Sequence, residues 1–296
     1  MWHDLFLISP ILIVLVVGLV SLIAGVFAPE GTSRGWLGYI NTFGFVVALG
    51  AAVVLYGRTP DGLAFESEAF RYALVNDHFG LGLSIVILLG AALMSLSTVH
   101  YLPEQKADHG EFYGLVAFAA AGMMALVMAN DLLTFFVALE LMSLAVYVLA
   151  GFKRQSKFST ESATKYFVLG SFASGLLLLG MAFAYGSTGQ ISLSGIAQAL
   201  HDGALDRVPE LVRFSLVLII AAFFFKVAAA PFHMWTPDVY EGAPATTAGF
   251  MAIAVKTAAF RLRERFGEVL RAQVARTVGS PAAVEGELGA LWRALG

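Results

Sequence analysis

Apolar residues run along this chain in blocks of about 20, divided by short clusters of charge and turn residues. That is the length a helix needs to cross a hydrocarbon core of about 30 Å. Eight such runs can be drawn, at residues 5–28, 36–56, 79–102, 112–130, 131–151, 166–186, 211–231 and 243–260. All eight are expected to be helices, which makes the chain an all-α polytopic membrane protein with about eight transmembrane helices. The first run begins with His3 and Asp4 instead of a basic cluster. It is also longer than the apolar core of a signal peptide, so it reads as a retained span. The connectors Thr59-Pro60-Asp61-Gly62, Pro103 to Gly110 and Gly151 to Ser159 carry turn chemistry, and the stretch from Gly189 to Glu210 is amphipathic.

Composition narrows the class. Of 296 residues 58% are hydrophobic and 13% charged, with 24 Phe, which does not suit a water-soluble domain. A net charge of -3 leaves no basic excess for neutralising phosphates, so no nucleic-acid partner is expected and the lipid bilayer is the first one. The absence of Cys removes disulfides, thiolate metal sites, cysteine-ligated clusters and thiol nucleophiles together. With six scattered His and no phosphate-cradling glycine loop, no cofactor or metal is expected in this chain. His3, His100 and His233 do not sit on facing helices in a way that would hold a haem. Lys153, Arg154 and Lys157 place the connector between the fifth and sixth runs on the cytoplasmic side, with Arg34 and Lys106, and the N-terminus outside. Arg58, Arg71, Arg207 and Arg213 fall opposite.

Away from the span ends the helices hold three charged residues: Glu140 in the fifth run, Lys226 in the seventh and Lys256 in the eighth. A charge near the centre of a spanning helix costs roughly 2.5–3.5 kcal/mol on insertion scales. Such residues therefore face a cavity, pair with one another and mark proton or ion paths. The plainer reading is a polar staple between helices. Glu140, Ser143 and Tyr147 stand at i, i+3 and i+7, on one face of their helix. Pro231 supplies no N–H for the carbonyl of Val227, so the seventh helix should break one residue beyond Lys226. His233 lies seven residues past that lysine, to relay protons or to cap an interface.

Three segments carry a resemblance: Lys226 to Pro244, KVAAAPFHMWTPDVYEGAP; Asn130 to Leu149, NDLLTFFVALELMSLAVYVL; and Thr164 to Gly170, TKYFVLG. Together they resemble the proton-conducting membrane transporter family, to which the antiporter-like membrane subunits of respiratory NADH-quinone oxidoreductase (complex I) belong. The resemblance covers residues 1 to about 260. It implies a 14-helix antiporter-like fold with two inverted repeats, each with one broken helix; residues 1–110 are then the first three helices and 111–260 the first repeat, with the seventh helix broken. It implies proton translocation through Glu140, its partner Lys226 and the central Lys256, with Lys165 of the KYFVLG motif as a further member; His233 joins the candidate path on its position past Lys226 alone. A snorkelling surface lysine is an equal reading of Lys165, and Asp238 and Glu241 are expected to hold their connector. It further implies a bacterial plasma membrane location and other complex I membrane subunits as partners, with NADH, FMN, iron–sulfur clusters and quinone on partner subunits.

From Arg261 the pattern changes. Residues 261–296 hold six Arg and four Glu and no run of spanning length, where the family has six more helices. Such an Arg-, Ala-, Val- and Gly-rich tail is what a frameshift in GC-rich DNA or a rearranged gene would produce. A Na+/H+ antiporter or membrane hydrogenase subunit is the alternative function, and a truncated, nonfunctional fragment the third.

Overall fold

The computed structural model of the chain describes residues 2–29, 32–59, 65–66, 73–204 and 208–265. The expectations for residues 266–296 and for the turn at Pro60-Asp61-Gly62 lie outside them. The helices are α1 (Trp2–Leu7), α2 (Ser9–Phe27), α3 (Gly35–Arg58), α4 (His78–Glu104), α5 (Glu111–Met128), α6 (Leu132–Ala150), α7 (Lys157–Thr188), α8 (Leu193–Ala199), α9 (Pro209–Lys226), α10 (Thr236–Gly242) and α11 (Ala245–Arg265). A two-residue antiparallel ladder, Phe65–Glu66 with Val75–Asn76, joins α3 to α4.

Among the described residues, six helices are long and apolar enough to cross a membrane: α2 to α7. The seventh and eighth runs are also helical, as α9 and α11, but α9 carries Glu210, Arg213 and Lys226, and α11 carries Lys256 and ends among arginines. Several features differ from the hydropathy reading. The first run is two helices, interrupted at Ile8, with Pro10 in the first turn of α2, where its missing N–H costs nothing. The sixth helix begins at Lys157, not 166, because Ser156 caps it by accepting from the N–H of Ser159; its polar first turns lie beyond the apolar run. The amphipathic stretch contains α8 and a single π turn, Leu200–Ala204.

Helix α5 is the hub and packs against α2, α4 and α6. It is rich in Ala, Gly and Met and buried on every side, as suits association in lipid, where small residues let backbones approach. At Gly122 the approach is extreme: a Cβ there would lie 2.5 Å from the backbone nitrogen of Met142 on α6. Polar staples tie the outer helices on. Ser21 Oγ donates to Asn41 Oδ1 at 3.1 Å, and Asn41 Nδ2 donates to the carbonyl of Tyr113 at 2.7 Å, linking α2, α3 and α5. At one end of the bundle the Arg34 N–H donates to Asp108 and Arg154 pairs with Glu111 at 3.0 Å. At the other, Asp131 caps α6 by accepting from the N–H of Thr134. Helix α9 lies along α7, held where Ser215 Oγ donates to the Gly180 carbonyl at 2.8 Å. Helix α10 packs on α7, and α11 on α4, α5 and α6.

Candidate proton-carrying site

The site is built where α9 stops. Lys226 is its last residue. Beyond it the hydrogen bonding shortens and wanders: Val227 N–H reaches the carbonyl of Phe223, Ala228 that of Phe225 and Ala229 that of Phe224, with Ala228 at a φ of 55°. Pro231 then donates nothing. Trp235 adds a second donor to one of these acceptors, its Nε1 donating to the carbonyl of Phe225 at 3.2 Å. Its ring stacks on Tyr166 of α7, with centroids 4.6 Å apart. Helical geometry resumes at Thr236.

Lys226 reaches α6. Its side chain is 7% exposed, and Nζ lies 3.5 Å from Oε1 of Glu140. The same nitrogen donates to Ser143 Oγ and to Tyr147 OH, both at 3.1 Å. An ammonium has three N–H bonds. Three acceptors on one stripe of α6 therefore face three donors, which is how a charge is kept where water is scarce. Glu140 is the ninth residue of α6, about 12 Å along the helix axis. On its other side Oε1 accepts from Ser174 Oγ of α7 at 2.5 Å. Gly170 of α7 makes room for this cluster, since a Cβ there would overlap the Tyr147 hydroxyl. The Tyr147 ring meets Tyr166 edge-on, so the Tyr147–Tyr166–Trp235 series connects the polar stripe of α6 to the segment beyond Lys226.

The other lysines and the histidine lie apart. Lys165 is 44% exposed and forms two ion pairs, to Asp238 of α10 at 2.7 Å and to Glu161 at 2.8 Å. Asp238 is thus engaged in fastening α10 to α7, together with its own carbonyl, which accepts from Ser162 Oγ at 2.7 Å. His233 is exposed on the segment between α9 and α10. Lys256 is exposed on α11, beside an apolar cleft of about 350 Å3 lined by Val86 and Ile87 of α4 and by Ile253. Ser174, Tyr166 and Trp235 were not singled out from sequence. Ser174 offers no signal of its own, since serines are ordinary in spanning helices; Tyr166 lies inside the KYFVLG motif and Trp235 inside the segment that follows Lys226. Among the described residues no group of three His, Cys, Asp or Glu side chains could hold a metal ion.

A bundle of apolar helices that holds a carboxylate–lysine pair where one helix stops belongs to the class of membrane proteins that keep charge within their helices. Residues 129–284 match the family described as the transmembrane domain of NADH:quinone oxidoreductase and Mrp antiporters, and the chain belongs to that family. It is 41% identical over 258 residues, 87% of its length, to NADH-quinone oxidoreductase subunit N of Trichlorobacter lovleyi, of which it covers 51%. To F(420)H(2) dehydrogenase subunit N of Methanosarcina mazei it is 39% identical over 267 residues, 88% of this chain and 53% of that one. Among solved structures, a chain of respiratory complex I from Thermus thermophilus with bound aureothin superposes with a TM-score of 0.68 at 32% identity, over 90% of this chain and 56% of that one. The chain thus spans about half the length of the curated relatives it matches.

Proposed function

We propose that the chain contributes the first proton-carrying repeat of a membrane subunit of a respiratory NADH-quinone oxidoreductase, in which electron transfer on partner subunits drives protons through buried Glu and Lys side chains. The supporting observation is the Glu140–Lys226 pair, held among α6, α7 and α9 at the point where α9 stops. On this reading α5 to α11 hold the first of two inverted repeats of a 14-helix fold, and α9 with α10 is its broken helix. NADH, FMN, iron–sulfur clusters and quinone belong to the partners, other membrane subunits of complex I flank the chain, and the location is the bacterial plasma membrane.

The chemistry follows from two opposed effects. Desolvation disfavours a charged ammonium, whereas an adjacent carboxylate favours it. Moving Glu140 toward Lys226 therefore loads a proton and moving it away releases one. The scale is sufficient, because one charge crossing 100 mV is worth about 2.3 kcal/mol. His233, at the open side of the interruption, would exchange protons with water, and Lys256 would carry the path onward. That last step requires protein rather than lipid against the exposed face of α11, because a charged side chain facing acyl chains is costly. Lys165 joins the path only through Asp238 and the position of α10.

The test is Lys226→Ala in the assembled complex, measured as protons translocated per NADH oxidised in inverted membrane vesicles. Translocation should fall clearly, because the buried charge that would carry the proton is gone. Unchanged translocation would overturn the reading. The family's joint description with Mrp antiporters favours a second reading, cation/proton exchange through the same pair; a translocation signal that requires sodium selects it.

A further inference from the structure

Oxygen Oε1 of Glu140 is shared between two donors. Lys226 Nζ stands 3.5 Å away. Ser174 Oγ stands 2.5 Å away, the length of a charge-assisted O–H···O bond. The serine is therefore the nearer partner, and the carboxylate leans toward α7 and off the lysine. The same hydroxyl lies 3.0 Å from the carbonyl of Gly170, one turn back along α7, where a helical serine ordinarily bonds. A hydroxyl has one proton to donate. It can be given to Glu140 or to Gly170 but not to both at once, and the Gly170 carbonyl, inside α7, keeps the backbone N–H of Ser174 as a partner either way.

Resting on the reading of this pair as the proton-carrying site, we infer that Ser174 is its positioning residue: a two-position hydroxyl that sets the Glu140–Lys226 separation according to whether Glu140 carries a proton. With Glu140 ionised, Ser174 donates to Oε1 and draws it from Lys226. When Glu140 takes a proton from Lys226, its new O–H bond makes it a donor to Ser174 Oγ, the serine proton swings to the Gly170 carbonyl, and the lysine is left neutral with two N–H bonds. No atom is exchanged in that reversal beyond the proton Glu140 receives, and every polar atom keeps a partner in both arrangements. The carboxylate then no longer competes for the lysine, whose remaining N–H groups stay on Ser143 and Tyr147. Without the hydroxyl, nothing on α7 holds the carboxylate off, the ion pair closes and Lys226 is locked in its charged form.

The test compares Ser174→Ala with Ser174→Thr in the assembled complex, reading protons translocated per NADH oxidised together with the infrared carboxylate stretch of Glu140, assigned by its loss in Glu140→Gln. The alanine variant should translocate roughly tenfold less or worse and show a displaced carboxylate band, the cost of one hydrogen bond to a charge. Threonine, which keeps the hydroxyl, should restore both. If alanine prevents assembly, Ser174→Cys, similar in volume with a weak donor, takes its place. An alanine variant with normal translocation and an unmoved band overturns the inference, as does a loss of translocation that threonine fails to rescue. If Glu140→Gln and Lys226→Ala also translocate normally, the reading of the pair itself has failed; if they do not, only the role of Ser174 has.

Discussion

Helix α6 has two opposite sides, and they obey different rules. Toward α5 it offers backbone: the Met142 nitrogen and the Ala138 carbonyl stand against Gly122 with no space between. Toward α7 and α9 it offers Glu140, Ser143 and Tyr147, about half a turn round the helix from Ala138 and Met142. The first side is sealed by shape, through dispersion between close-packed atoms. The second is held by charge and hydrogen bonds among groups that are costly to bury alone. A helix built this way is a fixed wall on one side and a surface with alternative pairings on the other, which is where a proton can be handled without moving the bundle.

The comparison breaks most visibly if the polar side loses one partner. Glu140→Ala leaves an ammonium facing only two hydroxyls, and the expected loss is about 3 kcal/mol, typical of a buried pair broken on one side. Glu140→Ala with Lys226→Ala should recover most of it. Thermal unfolding of the purified protein in detergent checks this, and a double variant no more stable than the single would mean that the two residues do not act as a pair. On the sealed side, Gly122→Val must push α5 and α6 apart, because its Cβ meets backbone and not a movable side chain. About 2–3 kcal/mol should be lost, in the upper range for overpacking. The same melting experiment measures it, and an unchanged midpoint would show that the two helices separate freely.

The sealed side was the less legible in sequence. Hydropathy located α5 and α6 as runs 112–130 and 131–151, yet nothing in it distinguishes Gly122, which meets the Met142 backbone, from Gly175, which an added Cβ would leave in open space. Contact between distant segments is not a property of either segment. The polar side announced itself because charge in an apolar run is rare, and helical periodicity alone places Ser143 and Tyr147 with Glu140. What periodicity could not give was the donor from another helix. Ser174 matters because α7 begins at Lys157 and runs antiparallel to α6, which brings its eighteenth residue level with Glu140. The start of α7 was misplaced for a related reason: its first turns are polar and helical by virtue of the Ser156 cap, so hydropathy does not mark them.

The smallest effect is expected at the other lysine–carboxylate contact between helices. Lys165 lies only 2.7 Å from Asp238, closer than Lys226 is to Glu140, but its side chain is 44% exposed and that of Asp238 51%. Exposed pairs of this kind contribute about 0–1 kcal/mol, because water solvates both charges when they separate, and salt screens what remains. Helix α10 also keeps a second attachment to α7, through Ser162 and the Asp238 carbonyl. Lys165→Met should therefore lower the melting midpoint barely, by less in high salt than in low, and leave proton translocation near normal. Loss of translocation at an unchanged melting midpoint would instead put Lys165 on the proton path and make the position of α10, just beyond the interruption, part of how the site is opened.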